Sequence, residues 1–275
     1  MILHQIGNSI GTHIFNAYWY NNRSWEPHFH KSYEFLYMKS GTLKARVAGG
    51  EYLLKAGDCL FIFPYQSHSF EPADAVYFVA LFSDTWVPVF RNLTDGNEPV
   101  SPQFNLSPEV LSYLTTALMP SQEFTGKAYK LENGTKLGIK AALYALCDAF
   151  LQQAEMLKRR KNTELVLKIL NYMETHYSEN LTLDSVSTAL GYDYHYISRV
   201  FNENLNLNFK TLLNQYRYEA AYLRLTETMD PLTVIATDAG FQSIRNFNEV
   251  VKNIAGKTPS AIRRERMENE KNTVL

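Results

Sequence analysis

Cysteine is scarce in this chain. Cys59 and Cys147 are the only two in 275 residues, they lie far apart, and both sit in apolar surroundings. That excludes a disulfide framework and predicts buried free thiols in a reducing compartment. Long hydrophobic runs are missing too. No stretch of about 18 apolar residues occurs, so no membrane span is expected. The opening MILHQIGNSIGTHIF lacks a basic segment followed by an apolar one, so no secretory leader is expected and the cytoplasm is the expected location. Thirteen glycines and ten prolines are too few for a fibrous or disordered chain. Charge of one sign is also lacking, because 27 basic groups face 28 acidic ones. The distribution is slightly uneven. Residues 1–105 carry 7 basic and 9 acidic groups, residues 106–157 carry 4 and 5, and residues 158–275 carry 16 and 14. Only the last part is net basic, which permits DNA binding without establishing it.

What the chain does have is apolar and aromatic residues, 45% and 13% of the total, enough for two or three cores. Up to about residue 100 these fall in short runs rich in β-branched and aromatic side chains: HIFNAYWY, YEFLYMKSG, TLKARVAGG, EYLLKAGDCLFIFP and AVYFVALF. Turn residues separate them, at Ser40-Gly41, Gly49-Gly50, Ala56-Gly57-Asp58, Pro64 and Pro72. This spacing predicts a sandwich or small barrel. One run, PHFHKSYEFLYMKSG (27–41), holds His28, His30 and Glu34, a His-x-His-x3-Glu spacing that binds a transition metal in many β-barrel enzymes. In a strand over Tyr33–Met38, Glu34, Leu36 and Met38 share one face, and Tyr33, Phe35 and Tyr37 the other.

Residues 106–157 change period. SPEVLSYLTTAL offers Ser107 as N-cap, Pro108 at the first helical position and Glu109 in the first turn. Then Leu143, Cys147, Phe150, Ala154 and Leu157 recur at 4-3-4-3 spacing, a helical seam that can pack on the chain's own sheet, on a second copy, or on both. The charged run KRRKNTE (158–164) has no apolar anchor and reads as a solvated linker in preference to a phosphate contact.

Beyond residue 165 the pattern is helical and repeats at an offset of 49. LDSVSTALGYDYHYISRVF (183–201) aligns with LTVIATDAGFQSIRNFNEV (232–250), matching Leu183 with Leu232, Val186 with Ile235, Gly191 with Gly240 and Tyr192 with Phe241. Each copy reads as helix, glycine turn and capped second helix, with Asp193 and Ser243 as the caps. In a helix-turn-helix the second helix enters the major groove. Here the second helices are expected over 194–204 and 244–254. They present His195, Ser198 and Arg199, and then Ile244, Arg245, Asn246 and Asn248, while Ile197, Val200, Phe201, Phe247, Val250 and Val251 face the core. Arg can pair with guanine and Asn with adenine. A helix of about 18 residues between the copies would span roughly 27 Å, suited to two reading helices one DNA turn apart.

The stretch AGFQSIRNFNEVVKNIAGKTPSAIRR (239–264) carries Gly240-Phe241, Ser243, Phe247, Lys252, Gly256, Thr258-Pro259 and Arg263. In these positions it closely resembles the C-terminal signature of the AraC/XylS family of bacterial transcription regulators. LTLDSVSTALGYDYHYISRVFNENLNLNFKTLLNQYRYEAA (181–221) resembles the copy that precedes it, so the resemblance covers about 165–264. Two residues depart from the pattern. Asn206 stands where the family usually has glycine, and asparagine tolerates left-handed backbone. Glu249 stands where related proteins often place a basic residue. A carboxylate is repelled by phosphates yet can accept from cytosine N4, and the other reading is a solvated or salt-bridged residue.

The resemblance extends to the opening motif. Members of that family often carry a small-molecule-sensing barrel of the cupin type, and residues 27–70 resemble one, with KAGDCLFIFPYQSHSF (55–70) supplying Gly57, Pro64 and His68. In metal-binding cupins the corresponding positions ligate the ion, which implies His28, His30, Glu34 and His68. Such a set suits Fe(II), Mn, Ni or Zn. Sensor barrels in the family often keep these residues without a metal. A metal site, contacts to an organic ligand and a purely structural role thus all stand, with no metal or other cofactor favoured. The effector-contacting residues expected are Trp19, Arg23, Trp25, His28, His30, Glu34, Tyr37 and His68, with Tyr18 and Tyr20 near the mouth.

These expectations combine into a two-domain α+β chain. A cupin-like effector-binding barrel covers 1–105, a helical dimerisation or linker segment 106–160, and an all-α domain with two helix-turn-helix motifs 161–275. The implied protein is not an enzyme but a homodimeric transcription regulator. Its partners are double-stranded promoter DNA, a small effector such as a sugar or sugar derivative, and RNA polymerase. The rival is a cupin metalloenzyme with an attached DNA-binding domain.

Overall fold

The computed structural model describes residues 3–4, 14–119, 136–205 and 207–273. They form two compact units, Met1–Arg160 and Lys161–Leu275. Asn206, the departure from the family glycine, lies outside the described residues.

The first unit is built on two 15-residue strands, β4 (Tyr33–Val47) and β7 (His68–Phe82), paired antiparallel from Tyr33↔Phe82 to Val47↔His68. Around this pair lie β1 (Leu3–His4), β2 (Phe15–Asn21), β3 (Trp25–Phe29), β5 (Gly50–Lys55), β6 (Asp58–Ile62), β8 (Asn97–Pro99), β9 (Gln103–Asn105) and β10 (Met156–Lys158). The main sheet runs β1-β3-β7-β4-β6-β9, with β2 also on β7 and β5 also on β4. The sequence pattern predicts a barrel. Among the described residues the structure shows a folded eight-stranded sheet whose hydrogen-bonded path ends at β1 and β9, without closure.

The fold in β4 has a local cause. Its pairing with β7 shifts register on either side of Ser40. Gly41, at φ +75°, lies so close to β7 that a Cβ there would sit 2.1 Å from the Asp74 carbonyl oxygen. The irregularity also flips the alternation. Leu36 and Met38 before it, and Leu43, Ala45 and Val47 after it, line one continuous core with Leu60, Ile62, Phe70, Tyr77 and Val79.

The opposite face of the sheet carries helices α1 (Pro88–Thr94), α2 (Pro108–Leu118) and α3 (Lys136–Leu151). Ser107 caps α2 by accepting from the Val110 N–H, with Pro108 at the start and Glu109 in the first turn, as expected. Leu143, Cys147 and Phe150 of α3 are buried against Tyr33, Phe35, Phe61 and Phe104, and the Phe61 and Phe150 rings stack at 4.9 Å. The packing on the chain's own sheet is therefore the one of the two readings that the structure of a single chain shows for these three residues. The predicted periodicity also fails at its end. The helix stops at Leu151, and Leu157 sits exposed in β10, which pairs with β8. Nor is 158–164 simply a solvated linker. Lys158 closes β10, the Arg159 N–H donates to the Gly96 carbonyl, and a new helix starts at Lys161. Both cysteines are buried free thiols, and burial pushes both pKa values up.

The second unit comprises α4 (Lys161–His176), α5 (Leu183–Leu190), α6 (Tyr194–Leu205), α7 (Phe209–Glu227), α8 (Leu232–Asp238), α9 (Ile244–Ala255) and α10 (Pro259–Thr273). The pairs α5–α6 and α8–α9 are the two helix-turn-helix copies. Leu183 and Gly191 stand 49 residues before Leu232 and Gly240, but the caps Asp193 and Ser243 are 50 apart. The second turn is thus one residue longer, and the single offset read from sequence holds only for the first helix of each copy. The predicted core residues Ile197, Val200, Phe201, Phe247, Val250 and Val251 are all buried.

Gly41→Ala tests whether the close approach of β4 to β7 at Asp74 holds the first unit together. Gly49, at φ +86° with nothing within 4 Å of where a Cβ would sit, supplies the reference for backbone strain alone. Gly49→Ala should cost about 1 kcal/mol and Gly41→Ala clearly more, seen as a lower thermal midpoint. Equal losses would mean that the approach of Gly41 to Asp74 is not tight in solution.

Candidate functional site

Three neighbouring strands bring the histidines and the glutamate together. His28 lies on β3 opposite His68 at the start of β7. His30 follows the end of β3, and Glu34 is near the start of β4. All four are buried, at 1–4% exposure, and one ligand atom from each lies within 4.8 Å of the others. Glu34 Oε2 is 2.9 Å from His30 Nε2 and 3.3 Å from His68 Nε2. The His28 and His68 ring centroids are 4.2 Å apart.

The backbone sets the tautomers. Nδ1 of His28 lies 2.7 Å from the Glu26 carbonyl, that of His30 3.0 Å from the Ser32 carbonyl, and that of His68 2.8 Å from the Gln66 carbonyl. A carbonyl oxygen can only accept, so each Nδ1 carries the hydrogen and donates it. In a neutral ring Nε2 then carries a lone pair, and the Nε2 atoms of His30 and His68 face Glu34. Burial, reinforced by His68, lowers the pKa of His28 to about 3, and burial lowers that of His30 as well, so neither ring favours a second proton. Burial alone would raise the Glu34 carboxyl. His68 and His30 instead hold it below the usual carboxylate range. His68 Nε2 has no hydrogen-bond partner despite its burial. His30 Nε2 lies at hydrogen-bond distance from Glu34, so a proton shared within the cluster or a bound cation would satisfy these atoms. Three imidazoles and one carboxylate, each ring oriented by a carbonyl, fit a divalent transition ion.

The surroundings correct part of the expected effector site. Trp25 packs 5.8 Å from the His28 ring, with the Arg23 guanidinium 5.2 Å over its indole. Tyr18 and Tyr20 pack on the same core. Trp19 and Tyr37 do not. They belong to the helix-covered face, Trp19 against Phe78 at 5.3 Å and Tyr37 beside the core that holds Phe35. Strand alternation puts them opposite Tyr18, Tyr20 and Glu34. Tyr77 is absent from the expected set. It is fully buried beside Tyr20, and its hydroxyl donates to the Arg23 carbonyl. The alternation Tyr77-Val79-Leu81 on β7 carries the signal that could have found it.

The second cluster of candidate residues is on α6 and α9. Asp193 accepts from the Tyr196 N–H and Ser243 from the Asn246 N–H, so both helices start at a side-chain cap. His195 and Arg199 on α6 are exposed and Ser198 is half-buried. On α9, Ile244, Arg245 and Asn248 are exposed and Asn246 is half-buried. The Arg199 guanidinium lies 5.6 Å over the Tyr196 ring, and the Tyr196 hydroxyl bonds to Asn162. Ile244 apart, these side chains carry donors and acceptors of the kind that can pair with base edges.

Comparison with known proteins covers both units. The family model of the AraC-like ligand binding domain matches residues 14–146, and that of a helix-turn-helix domain matches 186–265. An uncharacterized HTH-type transcriptional regulator of Staphylococcus aureus is 35% identical over 105 residues, which is 38% of this chain and 14% of that protein. The HTH-type regulator YisR of Bacillus subtilis is 31% identical over 93 residues, 34% of this chain and 32% of YisR. This chain therefore aligns with a minor part of either relative's length. Among solved structures, ToxT from Vibrio cholerae superposes with a TM-score of 0.56 at 13% identity, over 92% of this chain and 98% of that one. An unsaturated-fatty-acid-bound form of ToxT gives 0.55 at 14% identity, over 92% and 95%. At such identity the likeness speaks for the fold alone. The ligand-binding match falls on the sheet that holds the histidine cluster and the helix-turn-helix match on the two capped motifs, and the chain belongs to the AraC family.

Proposed function

We propose that this chain is a transcription regulator that binds promoter DNA through α6 and α9 and whose binding responds to a small molecule held in the first unit. The observation that carries this reading is the pair of capped second helices, each with a buried apolar face and an exposed polar one. The expected setting is a homodimer in the cytoplasm, acting with RNA polymerase. The effector shifts the population competent for DNA by binding one state better than the other. A sugar or sugar derivative is the effector class we favour, because Trp25, Tyr20 and Tyr18 offer rings for stacking beside the polar side chain of Arg23. ToxT has been solved with an unsaturated fatty acid bound, so fatty acids belong in the same ligand panel.

A second reading concerns the histidine cluster. We propose that His28, His30, Glu34 and His68 hold a divalent transition metal, which would supply a Lewis-acidic anchor for an oxygen-donor effector. The supporting observation is the buried group of three histidines and one carboxylate, with one ligand atom of each within 4.8 Å of the others. In the rival metalloenzyme the same residues would serve catalysis.

Three measurements follow. Arg199→Ala should weaken binding to a selected promoter fragment by about 1–3 kcal/mol in fluorescence anisotropy, with a much smaller effect on random DNA. Equal losses on both would reduce Arg199 to a phosphate contact. In a thermal-shift panel of sugars and fatty acids, an effector at 100 times its Kd should add about 2.7 kcal/mol of stability, and Trp25→Ala should abolish that gain. Chelator-treated protein should be stabilised by Zn²⁺, Mn²⁺ or Ni²⁺ but not by Mg²⁺, and elemental analysis should find close to one ion per chain. An unchanged response in Glu34→Gln would remove the metal from this site. Turnover of a bound sugar by metal-loaded protein would favour the enzyme.

A further inference from the structure

The two reading helices carry opposite charges at the same position, and that difference bears on what each reads. Counted from the caps Asp193 and Ser243, the helices align residue by residue. Ile197 falls on Phe247, Val200 on Val250 and Phe201 on Val251, and all six are buried. In this frame His195 corresponds to Arg245, Ser198 to Asn248 and Arg199 to Glu249. Arg199 and Glu249 are both exposed, each one helical turn beyond the residue two places after the cap. The correspondence depends on the longer second turn. The constant offset of 49 would have set Arg199 against Asn248.

Among the described residues Glu249 forms no ion pair, whether with Arg245 one turn before it or with Lys252 one turn after. Other carboxylates engage cations of this unit: Lys257 pairs with Glu265, and Arg224 with Asp230 and Asp238. The salt-bridged reading of Glu249 therefore has no ion pair behind it among the described residues, which leaves a solvated residue or a base contact. What is left is an unpaired carboxylate on the exposed stripe Arg245-Asn248-Glu249-Lys252, opposite the buried Phe247-Val250-Val251 face.

We infer that Glu249 is a specificity residue that reads cytosine in the half-site under α9, while Arg199 reads guanine in the half-site under α6. The inference rests on the DNA-reading role proposed above. A carboxylate has only acceptors to offer. Phosphates repel it, guanine presents acceptors at O6 and N7, and thymine presents O4 and a methyl group. Adenine has an amino donor, but its N7 acceptor lies alongside and opposes a second carboxylate oxygen. Cytosine N4 is the donor that remains. The two motifs thus read unlike half-sites, and the charge lost from the phosphate attraction of α9 returns as discrimination.

The test is selection from a randomised duplex library by the full chain, followed by sequencing, for wild type, Glu249→Gln, Glu249→Ala and Arg199→Ala. Wild type should enrich a two-part motif. Glu249→Ala should lose a cytosine at one position of one part, with discrimination there falling on the order of tenfold. Glu249→Gln should move that preference to adenine, which glutamine can pair in bidentate fashion. Both variants should bind random DNA more tightly as phosphate repulsion is relieved. Arg199→Ala should blur a guanine in the other part only. Because Glu249 is exposed, thermal midpoints should match wild type and exclude misfolding as the cause. A wild-type motif that survives Glu249→Ala at every position overturns the assignment and leaves the regulator intact. If wild type enriches no motif at all, the regulator reading falls and this inference falls with it.

Discussion

The long pairing of β4 with β7 is the constraint on which the first unit depends. It runs from Tyr33↔Phe82 to Val47↔His68 and includes both Glu34 and His68. Side chains alternate along a strand, so a slip of one residue would send Glu34 to the helix-covered face and break the cluster. The irregularity at Ser40 and Gly41 corrects the alternation midway, so that the same core is lined on both sides of the bend. A helix-covered aromatic core on one side and a histidine cluster on the other are two faces of one register.

The cluster itself is an electrostatic arrangement more than a packing one. Backbone carbonyls of Glu26, Ser32 and Gln66 each meet Nδ1 of a histidine, which turns Nε2 of His30 and His68 toward Glu34. Burial opposes protonation of His28 and His30, so a proton is a poor way to satisfy them. A purely structural cluster would be expected to pair its donors with its acceptors internally. This one pairs His30 with Glu34 at 2.9 Å and leaves His68 Nε2 3.3 Å from the same carboxylate.

The second unit shows how near-repeats diverge. Both copies keep a glycine in left-handed backbone after the first helix, a capped second helix and the same buried positions. Between those shared points the turn lengths differ by one residue and the exposed residues differ in charge. The core positions are bound by packing, and the outward positions are free to specialise. A duplicated unit can therefore hold one scaffold and present two surfaces.

Much of this was legible in the sequence because it depends on neighbours a few residues away. Caps at Ser107, Asp193 and Ser243, the buried stripe of each reading helix and the alternation around Glu34 are local patterns, and the motif spacing of the C-terminal half carried the family. The set His28, His30, Glu34 and His68 was also readable, though only through resemblance, since His68 is 34 residues from Glu34. Tertiary structure alone decided which face Trp19 and Tyr37 occupy, which partner the α3 stripe meets, and which nitrogen of each histidine is bare. It also decided that Arg199 and Glu249 are equivalents. These depend on strand register, on a bend at Gly41 and on the start of each second helix, where contacts between distant segments overrule any pattern counted along the chain.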